Sequence, residues 1–435
     1  MLSRYSLTFA TLISILAFAI FVNSKVAISS DSMWSVPMAK SIISDGDLWL
    51  DEYRAAADSR GDYGLRKKRQ GKILRLYSLF PFGTAFLISP AIWIYERYPD
   101  TLCTYIPRAS CERGTSAFSQ KVLLEEVLAS AIVALSGLCL FIAARRVSSN
   151  IGALASVMSF YFLSSSWSLV SRGLWQHGPS MLMLSCTLVL LTSPRLKMFA
   201  GIPLGWAYLI RPTNAISIAV VGLYFLVTRK LKLSLKPNLI VIGGYILLVM
   251  TPVLILIYWS WCNLGRILPT YYSGNRLALG FGIFNGIGVN LISPSRGLLV
   301  FTPILLLCFF SKNTGIFRTP LNRAVLGAII LHLIAVSAFP EWWAGHSYGP
   351  RYMSDMLPYL FFLFAQLIST MSCQKYFTRV AVAGIILASF TLHYQGANNL
   401  SLWMWNKHPR EISSHPYRVW NIRDSQVVRA LVRPF

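Results

Sequence analysis

The chain has 435 residues, 55% of them hydrophobic and 13% charged, with a formal net charge of +24 and a mean hydropathy of +0.54. That balance excludes an ordinary soluble domain and fits a polytopic membrane protein. The excess of cations suits anionic headgroups or an anionic substrate. Nucleic acid fits poorly as a partner, because the basic residues flank hydrophobic segments and form no aromatic-interleaved soluble domain.

Arg4 precedes a first apolar stretch, Tyr5 to Asn23. It is longer than a usual signal-peptide core and no A-x-A pattern follows, so it reads as an uncleaved first span. Further apolar runs lie at about 77–96, 121–144, 150–166, 176–192, 198–210, 213–228, 238–260, 297–311, 324–340, 355–371 and 380–395. The short loops between them carry Arg145-Arg146, Arg195 and Lys197, then Arg229, Lys230, Lys232 and Lys236. Later loops carry Lys312, Arg318 and Arg323, then Lys375 and Arg379, and no Asp or Glu lies among any of these. The positive-inside rule places them in the cytoplasm. All 16 acidic residues then fall on the other side or at its boundary.

Parity sets two conditions. The 77–96 run, with Pro81, Gly83 and Pro90, must lie as a broken or surface helix in the outer leaflet. The 198–228 stretch must be a hairpin of two short arms turning at Arg211-Pro212. The expected fold is an all-α polytopic membrane protein with about 11 crossings. Its N-terminus is inside and its C-terminus outside. Residues 1–395 form the membrane domain, with a long first external region at 24–120 bearing short surface helices. A Gly-rich external loop at 261–296 reads as a mobile gate or a plain connector. A basic, Trp-containing tail occupies 396–435.

Seven cysteines are present. Cys139, Cys186 and Cys308 lie in apolar runs and read as packing residues. Cys103 and Cys111, in a polar loop, leave a disulfide open if that loop is outside the cytoplasm. No Cys/His spacing of metal-binding type occurs.

This topology brings Asp31, Asp45, Asp47, Lys72, Arg75, Arg172, His177, Arg211, Arg296, Glu341, His346 and Arg351 to one face from distant segments. Carboxylates and cations converging at a membrane surface suit an anionic, partly apolar substrate, and a lipid-linked phosphate fits that description. Between Asp31 and Asp47, Ser35 and Pro37 open a short helix that Gly46 ends. On spacing alone, the aspartates could simply cap that helix and solvate the loop. His177 and His346 serve equally as phosphate or acceptor partners or as packed histidines; His332 and His393 read as structural. Arg66-Lys67-Lys68-Arg69 reads as headgroup-facing or solvated. Trp342-Trp343, Tyr348 and Tyr352 stack on a sugar or mark the membrane belt.

Asp31, Ala39, Ile42-Ile43 and Gly46-Asp47-Leu48-Trp49 together resemble the first external loop of membrane glycosyltransferases of the GT-C superfamily. Protein O-mannosyltransferases and the lipid A aminoarabinose transferase are members. "PFGTAFLISPAIW" (Pro81 to Trp93), "LWQHGPS" (Leu174 to Ser180), "LIRPTNAI" (Leu209 to Ile216), "LISPSRGLLVFTP" (Leu291 to Pro303) and "WWAGHSYGPRYMSDMLPYL" (Trp342 to Leu360) resemble segments of uncharacterised bacterial members. Ser32 stands where the family usually has a second acidic residue. The resemblance implies an integral protein of the bacterial plasma membrane. It implies a polyprenyl-phosphate sugar donor, an envelope acceptor (lipid, glycan or protein), a site on the non-cytoplasmic face and inversion at the anomeric carbon. Asp31 matches the catalytic aspartate and would take the acceptor's proton. Arg351 and Arg211 are the expected phosphate cations, with Asp47, Lys72, Arg75, Arg172, His177, Arg296, His346 and Tyr348 as further substrate contacts. A divalent cation at Asp31 and Asp47 is conceivable, though no spacing demands it. A transporter or flippase for a lipid-linked saccharide is the alternative reading, and a polymerase or ligase without need of Asp31 a third.

Overall fold

The computed structural model describes residues 4–60, 63–98, 117–230, 236–272, 280, 282–310, 314–369 and 376–432. Cys103 and Cys111 lie outside them. The chain is mostly helical, in the order α1 (Arg4–Val22), α2 (Ser35–Ser44), α3 (Arg54–Arg60), α4 (Gly83–Arg97), α5 (Ala117–Arg145), α6 (Asn150–Phe162), α7 (His177–Leu191), α8 (Gly201–Ile210), α9 (Ala215–Lys230), α10 (Lys236–Leu264), α11 (Gly282–Ile292), α12 (Pro320–Ser337), α13 (Leu357–Ile368) and α14 (Tyr376–Asn398).

Four stretches are long and apolar enough to cross a membrane: Leu123–Arg145, Leu239–Leu264, Pro320–Ser337 and Arg379–Asn398. Shorter apolar helices are Ser6–Val22, His177–Leu191, Pro212–Thr228 and Gly282–Ile292. The protein is therefore an integral multi-pass membrane protein; among the described residues four helices reach full spanning length, and the eleven crossings expected are not confirmed. The run at 297–311 gives only a four-residue helix, Leu298–Phe301, and a 3₁₀ segment, Pro303–Phe310.

Between helices that share an apolar solvent, association depends on close packing, which small residues permit. An added Cβ on Gly205 of α8 would come within 2.7 Å of the Val249 carbonyl oxygen of α10, and one on Gly152 of α6 within 2.4 Å of that of Ala365 in α13. Gly201 meets Tyr245 in the same way, so α8 runs beside α10 in the same direction. The Tyr245 hydroxyl then donates to the Ile218 carbonyl of α9 at 2.8 Å. The chain reverses at Arg211 to Asn214, as the sequence required.

Two expectations need correction. The fold is not purely helical: Leu65–Gln70 (β1) and Ile73–Ser78 (β2) pair antiparallel, from Leu65 opposite Ser78 to Gln70 opposite Ile73. Gly71 opens the two-residue turn at φ 61°, the left-handed conformation a tight hairpin needs. The Gly-rich stretch 261–296 is not one loose loop, because it contains α11, packed on α12. A Cβ on Gly286 would meet the Ser337 carbonyl oxygen at 2.3 Å, so this glycine serves packing. The tail packs into the body: Trp405 and Gln426 are fully buried.

Candidate active site

Asp31 sits at a turn in the segment between α1 and α2, and neighbouring elements hold that segment in place. Arg172 donates to the carbonyls of Phe21 and Val26, and pairs with Glu126 of α5 at 2.9 Å, all of it buried. The Ile28 N–H donates to the Arg172 carbonyl at 2.8 Å. Glu125, also buried, accepts from Ser29 Oγ at 3.1 Å and from Ser32 Oγ at 2.6 Å. A carboxylate from α5 thus reaches the hydroxyl of Ser32, the residue next to Asp31.

Held in this way, Asp31 faces a cavity of about 1290 Å³. Its Oδ2 pairs with Arg351 Nη2, and its Oδ1 accepts from the Tyr63 hydroxyl at 2.7 Å. Burial alone would raise the Asp31 carboxyl. The Arg351 charge and the hydrogen bonds from Tyr63 and Arg351 outweigh burial and hold it below the ordinary carboxylate range. Tyr63 shifts the other way: burial and the adjacent Asp31 charge push its phenol up, so it stays protonated as a donor.

Arg351 comes from the loop that links α12 to α13. Its guanidinium lies over the Trp175 ring, 4.2 Å from the centroid, a cation–π contact. Its Nε donates to His177 Nε2 at 3.2 Å. His177 Nδ1 lies 2.6 Å from both Asp355 Oδ1 and Arg211 Nη1. Arg211, at the α8–α9 turn, donates from Nη1 to Asp355 Oδ2 at 2.5 Å. A linked array of Asp31, Arg351, His177, Asp355 and Arg211 results, drawn from four parts of the chain. Asp31, His177, Arg211, His346 and Arg351 all line the cavity. His346 also bonds Ser413 at 3.0 Å.

The remaining expected members lie elsewhere. Asp47 accepts from the Trp49 N–H at 3.0 Å and from Ser41 Oγ at 3.3 Å, so it closes the turn after α2. Arg75 pairs with Asp51 at 3.2 Å beside the Trp49 ring, and Lys72 is exposed at the hairpin turn. Arg172 braces the Asp31 segment from behind. Arg296 and Tyr348 are buried supports for the loop that delivers Arg351. Arg296 donates to the Trp343 and Gly345 carbonyls and to Gln426 Oε1, and Gln426 Oε1 also accepts from the Gly349 N–H. The loop needs such bracing, because Ala344 has φ 63°, a conformation costly for a side chain with a Cβ.

Tyr63, Asp355, Glu125 and Trp175 were missed as site members. Asp355 lies within the quoted segment Trp342 to Leu360, and an acid at the head of an apolar run was the available signal. Nothing local marks Tyr63 or Glu125.

A divalent cation does not fit around Asp31. Arg351 already neutralises that carboxylate, Asp47 is engaged in its own turn, and no group of three metal-capable side chains gathers among the described residues.

No family model and no curated protein matches the sequence. Solved structures do match in fold. ArnT from Cupriavidus metallidurans bound to undecaprenyl phosphate superposes with a TM-score of 0.57 at 13% identity, over 99% of this chain and 79% of that one. The apo state of the same protein gives 0.55 at 11% identity, over 98% and 74%. The apo oligosaccharyltransferase of Archaeoglobus fulgidus gives 0.51 at 12% identity, over 96% of this chain and 60% of that one. Over nearly its whole length, this chain therefore has a fold similar to those of ArnT and of the archaeal oligosaccharyltransferase.

Proposed function

We propose that the protein is an inverting glycosyltransferase that moves a sugar from a polyprenyl-phosphate donor to an envelope acceptor on the non-cytoplasmic face. The observation that carries this reading is the meeting of Asp31 and Arg351 on the wall of one cavity with His177 and Arg211. The ArnT structure similar in fold holds undecaprenyl phosphate, a lipid phosphate of the kind such an arrangement of cations suits.

In the proposed reaction the acceptor hydroxyl oxygen attacks the anomeric carbon from the face opposite the phosphate. Its proton passes to an Asp31 carboxylate oxygen. The carbon–oxygen bond to phosphate breaks, and polyprenyl phosphate leaves with the electron pair. The charge that builds on the leaving oxygen is met by Arg351, with Arg211 behind it. Arg351 is paired to Asp31. A donor phosphate competes for the same guanidinium, which would loosen its hold on the carboxylate and make Asp31 a stronger base as the substrate arrives.

The test is transfer by the purified protein from a panel of polyprenyl-phosphate sugars, combined with mass spectrometry of envelope glycans with and without the gene. A glycan or glycoprotein that loses one sugar in the deletion supports the reading. Movement of a lipid-linked saccharide across vesicles without a new glycosidic bond replaces it with a transporter.

A further inference from the structure

The β1–β2 hairpin carries features that sugar transfer leaves unexplained. Lys67, Arg69 and Lys72 are exposed near its turn, and among the described residues none of them meets a carboxylate. Beside them Ile73 and Leu74 are 58% and 43% exposed. Water disfavours such bare apolar side chains on a hairpin, and a soluble polyanion would have no use for them. Cations around exposed aliphatic groups match an interface with charged headgroups above and acyl chains below.

The position of the hairpin agrees. Lys68 Nζ donates to the Leu264 carbonyl at 3.1 Å, and Leu264 ends the candidate span Leu239–Leu264. The last turns of that span expose Tyr258 and Trp261, and such rings mark headgroup depth. The hairpin is thus fastened to the membrane–water boundary.

We propose that the turn of the β1–β2 hairpin, through Lys67, Arg69, Lys72, Ile73 and Leu74, docks on an anionic phospholipid surface. This is independent of the transfer reaction.

The experiment is hydrogen–deuterium exchange of the peptide 65–78 in the full chain, held in nanodiscs of phosphatidylcholine with or without phosphatidylglycerol. Exchange at the turn should slow about tenfold with the anionic lipid, and high salt should remove most of that effect. Lys67→Gln/Arg69→Gln/Lys72→Gln should abolish the lipid dependence, and Ile73→Ser should weaken it. Equal exchange of the unmodified chain in the two lipids overturns the proposal. So does protection by dextran sulfate in phosphatidylcholine discs with none from phosphatidylglycerol, which would assign the hairpin to a soluble polyanion.

Discussion

Arg351 donates to Asp31 across 320 positions of sequence, and the pair forms part of the wall of one cavity. This contact sets a pH dependence. The folded Asp31 carboxyl lies below its ordinary value, so the proposed base stays ionised to lower pH than a free aspartate would, and the acidic limb of kcat/KM should fall below the usual carboxylate range. Arg351→Gln removes the opposing charge and leaves burial, so the limb should move to higher pH. An unmoved limb in that variant would separate Asp31 from the rate. The stability contribution has the same sign: it is present above the unfolded pKa and is lost as pH falls through the lowered folded one.

Asp31→Asn keeps the shape and the Tyr63 contact but cannot accept a proton. Transfer should drop by about 100- to 10,000-fold, while donor binding, followed by calorimetry with the lipid-phosphate sugar, persists. Undiminished transfer removes Asp31 as the base.

Asp355 is fully buried between His177 and Arg211. Asp355→Asn strands the Arg211 charge and should destabilise the fold by about 3–5 kcal/mol. The measurement is thermal unfolding in detergent. A melting temperature equal to that of the parent would show that water or lipid already satisfies Arg211.

Gly173→Ala tests the bracing of the Asp31 segment without touching the array. The new Cβ would come 2.1 Å from the Ile28 carbonyl oxygen, so the segment must shift. A displacement of about 1 Å can cost about 100-fold in rate. The expected outcome is a fall in kcat of that order with the donor KM little changed. Wild-type turnover would show that the Asp31 segment tolerates movement.

Hydropathy and loop charge made the helical membrane character legible, and Pro212 after Arg211 announced the turn between α8 and α9. The hairpin was hidden because its first strand reads as a charge run. Its true signals were the β-favouring run Ile73–Tyr77 and the Gly71-Lys72 turn, both short. Helix α11 was hidden because its glycines look like loop residues, whereas Gly286 is there to let Ser337 approach. Among the site residues, Asp31 and Arg351 stood out by their motifs. Asp355 did not, because its meaning depends on partners 178 and 144 positions away, and no local pattern encodes such distances. Arg172 and Arg296 were read as substrate contacts because a sequence shows the charge but not the buried carbonyls that use it.

Gln426 joins Arg296 to the backbone at Ser347 and Gly349. Arg351 thus takes its aim from a residue synthesised 75 positions after it. A ribosome-bound chain that has inserted every helix through α14 would still lack this clasp. The protein should therefore enter the bilayer inert and gain its chemistry only once residue 426 has emerged and folded back.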